Sequence, residues 1–251
     1  MDRLLELTRR AERAHFWFRG FRWFVRPHLQ RAVAGRTGLT LLDAGCGTGA
    51  NLALLAPHGR AVGFDLTWSG LAAARAYGHA PVAQASLLQI PFLDASFDLV
   101  TAFDVLQCVA GDDAAGMREL ARVLKPGGTL VLNVAAFEAL RGGHAALSAE
   151  ARRYTPADLR ARVEGAGLRI TTLTCTNASL LPITWPTRVW QRWRAGGRAP
   201  TSEADIVIPP APVNAVLTAL LWLESWVVRA VSLPVGSSIL CVAAKPAHRQ
   251  G

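Results

Sequence analysis

A glycine-rich turn follows a short apolar run that ends in an acidic residue, an arrangement suited to binding a nucleotide-type ligand. The run LTLLD at 39–43 is followed by AGCGTG and by the helix-forming stretch ANLALLA. Gly45, Gly47 and Gly49 let the backbone pass close to a ligand without Cβ clashes. The motif by itself is ambiguous, because Gly45, Gly47 and Ala50 also satisfy the dinucleotide-binding pattern G-x-G-x-x-G/A.

Strand-like and helix-like segments alternate after this turn. AVGFD at 61–65 ends in Asp65, whose carboxylate can accept both hydroxyls of a ribose, and FDLVTAFD at 97–104 ends in Asp104. A predicted helix, the breaker KPGG and the strand TLVLNVAA at 129–136 follow. This order predicts an α/β fold with a doubly wound, Rossmann-like sheet and its ligand at the carboxyl ends of the strands.

The ordered set LLDAGCGTG, VGFD, IPF–DASFDLV and RELARVLKPGGTLVL resembles the successive motifs of class I S-adenosylmethionine-dependent methyltransferases, in the group often called type 11. The resemblance covers residues 39–136 and favours S-adenosylmethionine over a nicotinamide cofactor. It implies a seven-stranded sheet whose last strand, LCVAAKP near 240–246, is antiparallel. It also implies that the protein is an enzyme that transfers a methyl group.

The resemblance further implies cofactor contacts. The segment from Asp43 to Gly49 would wrap the methionine part, Asp65 would hold the ribose, and Asp104 would lie beside the methionine end. Ser86 and Leu87 would flank the adenine, although many relatives have an acid where Ser86 stands. The predicted cofactor-binding residues are Phe16, Trp17, Arg19, Asp43, Ala44, Gly45, Cys46, Gly47, Gly49, Asp65, Leu66, Ser86, Leu87, Phe103 and Asp104.

The outer segments carry a weaker resemblance and the predicted catalytic residues. GGHAALSAEARRYTPADLRARVEGAGL is similar to a bacterial subgroup often encoded among glycan and lipid-carrier genes, which commonly has a His where Glu150 stands. An alcohol acceptor needs a base with a pKa near neutrality, and His144 is the predicted base. Tyr154 is predicted to shape the acceptor pocket, with plain packing as the alternative.

The stretch HFWFRGFRWFVR at 15–26 predicts an amphipathic helix with three arginines on one stripe and most of its six aromatic residues on the other side. Its apolar side could cover the protein's own core, a bound ligand or a membrane. Because the N-terminal helix often closes over the cofactor in this fold, Phe16, Trp17 and Phe18 are predicted to face the cofactor.

About sixty residues between the predicted sixth strand and the last strand are not required by the core fold. They include the apolar run NAVLTALLWLESWVVRAVSLP at 214–234. Glu224 and Arg229 would each cost roughly 2.5–3.5 kcal/mol at the bilayer centre, so this helix is predicted to lie on a membrane or to cover the core. Glu224 is predicted to be buried against an arginine from one of two clusters: Arg19, Arg22 and Arg26, or Arg188, Arg192 and Arg194.

The charge distribution and the cysteines indicate which partners the protein has and in which cellular compartment it lies. The formal charge of +9 divides into +6 for residues 1–36, −3 for 37–136 and +6 for 137–251, so the basic arms indicate an anionic partner. The four cysteines lack a CxxC pair or a His at metal spacing, which predicts reduced core thiols and no metal. The first residues are charged and lack the apolar segment of a signal peptide, which predicts a cytoplasmic protein, peripheral on the inner membrane face if the insertion touches lipid.

Three parts are predicted: an N-terminal helical cap at 1–36, a core at 37–176 and 237–251, and a helical lid at 177–236. The predicted function is methyl transfer from S-adenosylmethionine to a small acceptor that is hydrophobic or linked to a lipid carrier, with O-methylation favoured.

Two other functions compete. The isoelectric point of 10.6 suggests a nucleic-acid methyltransferase. The fourth strand ends in FDVLQC without an Asn/Asp-Pro-Pro-aromatic motif, and no RNA-binding module is recognisable, so no nucleic-acid partner is predicted. A non-catalytic protein that binds S-adenosylmethionine is the third alternative.

Overall fold

Helices and strands alternate along most of the chain in the computed structural model, which describes residues 10–76, 78, 81–142, 149–194 and 208–247. The helices are α1 (Phe16–Val33), α2 (Leu52–Leu55), α3 (Trp68–Ala76), α4 (Asp113–Val123), α5 (Pro156–Gly165), α6 (Leu181–Arg194) and α7 (Ala211–Ala230). The strands are β1 (Thr40–Ala44), β2 (Arg60–Asp65), β3 (Val82–Gln84), β4 (Phe97–Phe103), β5 (Leu124–Ala135), β6 (Arg169–Thr176) and β7 (Ser238–Ala244). Short 3-10 helices lie at Ala56–His58, Leu106–Cys108, Glu138–Leu140 and Ala178–Leu180.

Seven strands form one sheet in the order β3-β2-β1-β4-β5-β7-β6. Strands β1 to β5 pair in parallel, and β7 inserts antiparallel between β5 and β6. The chain leaves β1 toward β2 on one side and returns to β4 on the other, which opens a crevice at the carboxyl ends of these strands. The doubly wound sheet with an antiparallel last strand is therefore confirmed.

The fifth strand is longer than predicted. We expected KPGG to separate a helix from a strand beginning at residue 129, but β5 begins at Leu124, directly after α4, and includes this segment. Leu124 pairs with Phe97 and Thr129 pairs with Leu99, with a register shift between the two pairs. The extra residues are accommodated as an irregularity in the ladder, so the KPGG segment lies inside β5 and not before it.

Both faces of the sheet are covered by helices. Leu41 and Leu42 are adjacent on β1 and point to opposite faces, as the pleat requires. Leu41 packs in one cluster with Phe24 of α1 and Leu221 of α7. Leu42 packs in another with Leu120 of α4. The insertion therefore contributes α7 to the layer that also contains the N-terminal helix.

The N-terminal helical segment is interrupted, and α7 holds it at the interruption. Residues 10–14 are helical, His15 has extended backbone, and α1 begins at Phe16. Asn214 of α7 accepts a hydrogen bond from the Phe16 N–H (2.9 Å) and donates from Nδ2 to the Ala14 carbonyl (2.9 Å). A single amide side chain thus satisfies backbone groups on both sides of the break.

Close contact between α1 and α7 depends on Gly20. A Cβ at this position would lie 2.4 Å from Cδ1 of Leu221, well inside van der Waals contact. The absence of a side chain lets the two helices approach each other. The apolar side of α1 therefore covers the protein's own core, with Phe21, Phe24 and Val25 buried.

Glu224 is buried as predicted, but no arginine whose side chain the structure describes binds it. Its carboxylate accepts hydrogen bonds from the Ala178 N–H (2.9 Å), the Ser179 N–H (2.9 Å) and the Ser179 hydroxyl (2.6 Å). These donors begin the 3-10 helix Ala178–Leu180, where unpaired N–H groups carry partial positive charge. Backbone dipoles therefore stabilise the carboxylate without Arg19, Arg22 or Arg26; the side chains of Arg188, Arg192 and Arg194, the other predicted cluster, lie outside the described part.

Candidate functional site

A cavity of about 460 Å³ opens at the carboxyl ends of β1, β2 and β4, at the predicted crevice. Its volume lies in the range of about 300–1,000 Å³ that is usual for small-molecule sites. Seven of the fifteen predicted cofactor-binding residues line it: Gly45, Asp65, Leu66, Ser86, Leu87, Phe103 and Asp104.

Asp65 ends β2 and connects two loops at the cavity. Its Oδ2 accepts a hydrogen bond from the Gly47 N–H (2.8 Å), and its Oδ1 accepts from the N–H (2.8 Å) and hydroxyl (2.6 Å) of Thr67. The carboxylate therefore organises the glycine-rich turn and also faces the cavity.

The glycine-rich turn is held against β2 by its own backbone. The N–H groups of Gly45 and Cys46 both donate to the Phe64 carbonyl at 2.8 Å. Gly45 has a φ of +75°, and a Cβ there would lie 2.5 Å from the Val105 side chain. Glycine is thus required for the turn to pack against the loop after β4. The other predicted residues of this segment, Asp43, Ala44, Cys46, Gly47 and Gly49, lie behind or beside the cavity wall.

Asp43 is fully enclosed beneath the turn. Its Oδ1 accepts a hydrogen bond from the Thr101 hydroxyl (2.7 Å), whereas its Oδ2 is buried without a hydrogen-bond partner among the described residues. Burial raises the pKa of Asp43 to about 7; the Thr101 hydrogen bond opposes this rise, and the nearby Asp65 adds to it. A buried carboxylate oxygen without a donor is costly, which marks this position as one where a ligand's donor would be favourable.

Asp104 lines the cavity and has an unusual backbone, with a φ of +56°. Its Oδ1 accepts hydrogen bonds from the side-chain amides of Asn133 (3.0 Å) and Gln107 (3.3 Å). Burial raises the pKa of Asp104 to about 6, against the lowering effect of the two amides. A carboxylate in the cavity lining whose pKa is near neutrality is suited to accepting a proton.

Several lining residues were missed by sequence reasoning. They follow Asp104 in the loop after β4, and they are Val105, Cys108, Val109 and Ala110, with Ala149 from a later loop. Cys108 was predicted to be a core thiol but is half-buried in the lining, and burial beside Asp104 raises its pKa to about 12. The available signal was positional, since these residues directly follow a strand end at the crevice.

Tyr154 does not line the cavity, which corrects its predicted place in the acceptor pocket. The side chain is fully buried, and its hydroxyl donates to Asp113 Oδ2 (2.8 Å). Asp113 also pairs with Arg152 (3.1 Å) and Arg162 (2.8 Å). Tyr154 is bridged to Ala136, beside the end of β5, so its ring is drawn into the core. The packing alternative therefore accounts for Tyr154.

The N-terminal aromatic residues lie away from the cavity lining. Phe16, Trp17 and Arg19 were predicted to contact the cofactor, but none of them lines the cavity. Phe21 comes closer, because its ring meets lining residue Phe103 edge-on at 4.9 Å and stacks on Trp17 at 5.7 Å. Phe16 and Trp17 lie one turn before Gly20 and Phe21 on the same side of α1, and Phe16 packs against the core cluster there, so their place along the helix, not the helix phase, accounts for the difference.

The N-terminal segment nevertheless reaches the glycine-rich turn. Glu12 Oε1 accepts a hydrogen bond from the Thr48 hydroxyl at 2.7 Å. His144, the predicted base, lies outside the described residues. Within the described ranges, no group of three or more His, Cys, Asp or Glu side chains is arranged to hold a metal ion.

Comparison with known proteins shows that part of this chain is similar to methyltransferases. The sequence profile described as "Methyltransferase domain" matches residues 42–132. A demethylmenaquinone methyltransferase of Corynebacterium kroppenstedtii is 39% identical over 108 residues, covering 43% of this chain and 46% of the relative. The "Probable S-adenosylmethionine-dependent methyltransferase" of Mycobacterium tuberculosis is 37% identical over 116 residues, covering 44% of this chain and 42% of the relative. The chain thus spans about half the length of the curated relatives it matches.

A solved structure shares the fold over the whole chain. It is a chain of the complex between the Haloferax volcanii Trm112 methyltransferase activator and a methyltransferase, with a TM-score of 0.62 and 22% identity. The match covers 100% of this chain and 97% of that chain.

Proposed function

We propose that this chain, which matches a methyltransferase profile over residues 42–132, is a class I S-adenosylmethionine-dependent methyltransferase of the type 11 group and that it transfers a methyl group to a small hydrophobic or lipid-carrier-linked acceptor. The observation that carries the proposal is the cavity at the strand ends. Acidic side chains stand at two points of its lining, Asp65 and Asp104, and apolar side chains form most of the remaining wall.

The cavity's residues fit S-adenosylmethionine. Asp65 would accept the ribose hydroxyls, and Leu66 and Leu87 would flank the adenine. Asp43, with its unpaired Oδ2, would favour the cationic amino group, and Asp104 would lie near the sulfonium end. The bound cofactor supplies an electrophilic methyl group. The protein's residues would orient the acceptor beside it and exclude water.

A hydrophobic acceptor is supported by the wall and by one relative's name. Val105, Val109 and Ala110, which follow Asp104 in the chain, add apolar side chains to the cavity wall. The Corynebacterium kroppenstedtii relative is named for demethylmenaquinone, a hydrophobic molecule. We also propose that the enzyme acts in the cytoplasm at the inner membrane face, where such an acceptor would be found.

Transfer to an oxygen requires removal of a proton, and two residues compete for this role. His144 is the base proposed from the sequence, and Asp104 is a candidate because of its place in the lining and its raised pKa. If His144 is the base, His144→Ala lowers the maximal rate by about two to four orders of magnitude. If Asp104 is the base, Asp104→Asn does so and His144→Ala mainly raises KM.

The distribution of a radiolabelled methyl group tests the proposed function. The protein is incubated with labelled S-adenosylmethionine and one acceptor sample in each reaction. The three acceptor samples are bacterial lipid extract, demethylmenaquinol and total RNA. The expected result is label that partitions into organic solvent from the lipid or quinol sample and is absent with Asp65→Ala.

The other outcomes decide against the proposal in distinct ways. Label in acid-precipitable RNA would assign the protein to nucleic-acid methylation. Tight cofactor binding by calorimetry with no transfer to any acceptor class would favour a non-catalytic binding protein.

A further inference from the structure

Helix α7 presents apolar side chains to the outside, whereas all its polar side chains except Arg229 face the protein, beside the core residues Leu221 and Val228. Every exposed residue of the helix except Arg229 is apolar, whereas the inner side carries Asn214, Thr218, Glu224 and Ser225. A surface helix in water has the reverse arrangement. The exposed apolar residues, here called the outer face of α7, are Ala211, Pro212, Val213, Ala215, Val216, Ala219, Trp222, Leu223, Trp226, Val227 and Ala230.

The polar inner side has protein partners, so the reversed arrangement is part of the fold. Asn214 bonds to the break before α1, and Glu224 accepts three hydrogen bonds at the 3-10 helix Ala178–Leu180. By length and composition α7 could cross a membrane. Its inner side is bound to the domain, so a lipid environment would meet only the outer face.

A cationic groove of about 360 Å³ adjoins the C-terminal end of this outer face. Arg31 of α1, Arg160 of α5 and Arg229 of α7 line it, together with hydroxyl side chains of Thr171, Thr172 and Ser232. None of its lining residues is acidic. Glu164 pairs with Arg160 at 3.0 Å, and no other described carboxylate forms an ion pair with the three arginines.

The groove and the outer face are joined by one contact. The Arg229 guanidinium lies over the Trp226 ring at 4.1 Å, so a groove cation rests on an outer-face aromatic. Burial lowers the pKa of His28 at the back of the groove, and the charges of Arg31 and Arg229 lower it further. The histidine therefore stays neutral while the arginines provide the positive field.

We propose that this groove binds the phosphate of an anionic phospholipid headgroup while the outer face of α7 lies in the interfacial layer of the same membrane. Guanidinium groups bind phosphate oxygens through paired hydrogen bonds, and hydroxyls complete the set. Tryptophan and aliphatic side chains are favourable at the boundary between headgroups and acyl chains. Charge and apolar surface thus occur together, which nucleic acid or free phosphate would not require.

Vesicle binding tests the groove without any need for methyl transfer. Sedimentation with phosphatidylglycerol–phosphatidylcholine vesicles is compared with sedimentation with pure phosphatidylcholine vesicles, in the absence of S-adenosylmethionine. We expect the wild type to prefer the anionic vesicles by at least about tenfold. Arg31→Gln with Arg229→Gln should weaken that binding by about twenty- to thirtyfold, because each groove cation contributes about fivefold.

Two further variants separate the groove from net charge. Arg75→Gln with Arg118→Gln removes the same charge from exposed positions on α3 and α4 and should change anionic-vesicle binding less than about threefold. Glu164→Gln removes the carboxylate beside Arg160 and should strengthen binding to anionic vesicles.

The outer face of α7 is tested by a third variant. Trp222→Gln with Trp226→Gln should weaken binding to both kinds of vesicle. Unchanged unfolding midpoints would show that each variant folds.

Five outcomes would overturn the proposal. Equal binding of the wild type to neutral and anionic vesicles would show that the groove does not bind lipid phosphate. Equal loss of binding in the two double-arginine variants would show the same. Binding of inorganic phosphate by calorimetry without vesicle binding would assign it to a free anion. RNA binding that alone depends on Arg31 and Arg229 would assign it to nucleic acid. A lipid-free dimer that Trp226→Gln dissociates would assign the outer face to a second copy.

Discussion

Asp43 and Glu224 are both buried carboxylates, but they differ in how many donors reach them. Glu224 accepts three hydrogen bonds, two of them from backbone N–H groups at the start of a helical turn. Asp43 accepts one, from Thr101, and its second oxygen has no partner in the described part of the chain. A satisfied carboxylate fastens two elements together, whereas an unsatisfied one is costly and is tolerated where a ligand binds.

The same contrast separates the two regions around these residues. The cavity lining contains Asp104, whose partners are neutral amides and whose pKa is raised to about 6. Around Glu224, the polar groups of α7 bond to backbone atoms, and the cations of the groove lie at the surface. In our two proposals, the cavity binds a positively charged cofactor, and the helical layer attaches the protein to a membrane.

The largest expected effect is on the cavity side, at Asp65. Asp65→Ala should lower S-adenosylmethionine affinity by about two to three orders of magnitude, because two hydrogen bonds to a charged group are lost. Calorimetry measures the change, with Asp94→Ala as the control, since Asp94 is exposed and pairs with Arg122 away from the cavity. If the affinity of Asp65→Ala stays within about threefold of the wild type, Asp65 does not bind the ribose hydroxyls.

Glu224 should be the more important of the two contrasted carboxylates for stability. Glu224→Ala should lower the free energy of unfolding by about 3 kcal/mol, because buried donors at Ala178 and Ser179 lose their acceptor. Glu224→Gln keeps an acceptor oxygen and should lose less. Urea denaturation measures both, with exposed Glu164→Gln expected to change the free energy by less than about 0.5 kcal/mol. A similarly small loss for Glu224→Ala would contradict the fastening role.

Replacing Asp43 should raise the free energy of unfolding, whereas replacing Glu224 should lower it. The gain at Asp43 is expected only above acidic pH. Its pKa of about 7 exceeds its ordinary value of 3.8, so between these values the folded protein keeps a proton that the unfolded chain releases. Wild-type stability therefore falls as the pH rises through this window. From pH 5 to pH 8 the wild type should lose about 2–3 kcal/mol more than Asp43→Asn.

Denaturation curves at the two pH values measure the Asp43 effect, and calorimetry on the same variant measures cofactor affinity. We expect Asp43→Asn to bind S-adenosylmethionine more weakly although it is more stable at pH 8. Parallel pH dependence in the two proteins would show that Asp43 is charged without cost in the fold.

The smallest effect is expected at Tyr154, which the structure assigns to the core. Tyr154→Phe removes the hydrogen bond to Asp113 and should reduce the free energy of unfolding by about 1 kcal/mol, since Arg152 and Arg162 still bind Asp113. Methyl transfer should keep its kcat and KM. A fall in kcat without loss of stability would show that Tyr154 acts in the acceptor site and not only in the core.

Residue order alone predicted the parts of the site that are local in the chain. Asp43, the glycine-rich turn and Asp65 lie within a strand-turn-helix-strand unit whose geometry follows from short-range backbone rules, and the strand order follows from the alternation of elements. The residues after Asp104 were missed because a loop has no periodic pattern that marks which side chains face a cavity.

The sequence by itself determined the Rossmann-like sheet, the crevice and the acidic residues at its strand ends, because hydrophobic periodicity and glycine positions act over a few residues. Only the tertiary structure decided which donors reach Glu224, where Tyr154 points, and which side of α1 meets the sheet. These depend on contacts between elements far apart in the chain, such as Asn214 with Phe16, whose distances no local pattern encodes. The same reason applies to the groove, since Arg31, Arg160 and Arg229 come together only when α1, α5 and α7 pack around the edge strand β6.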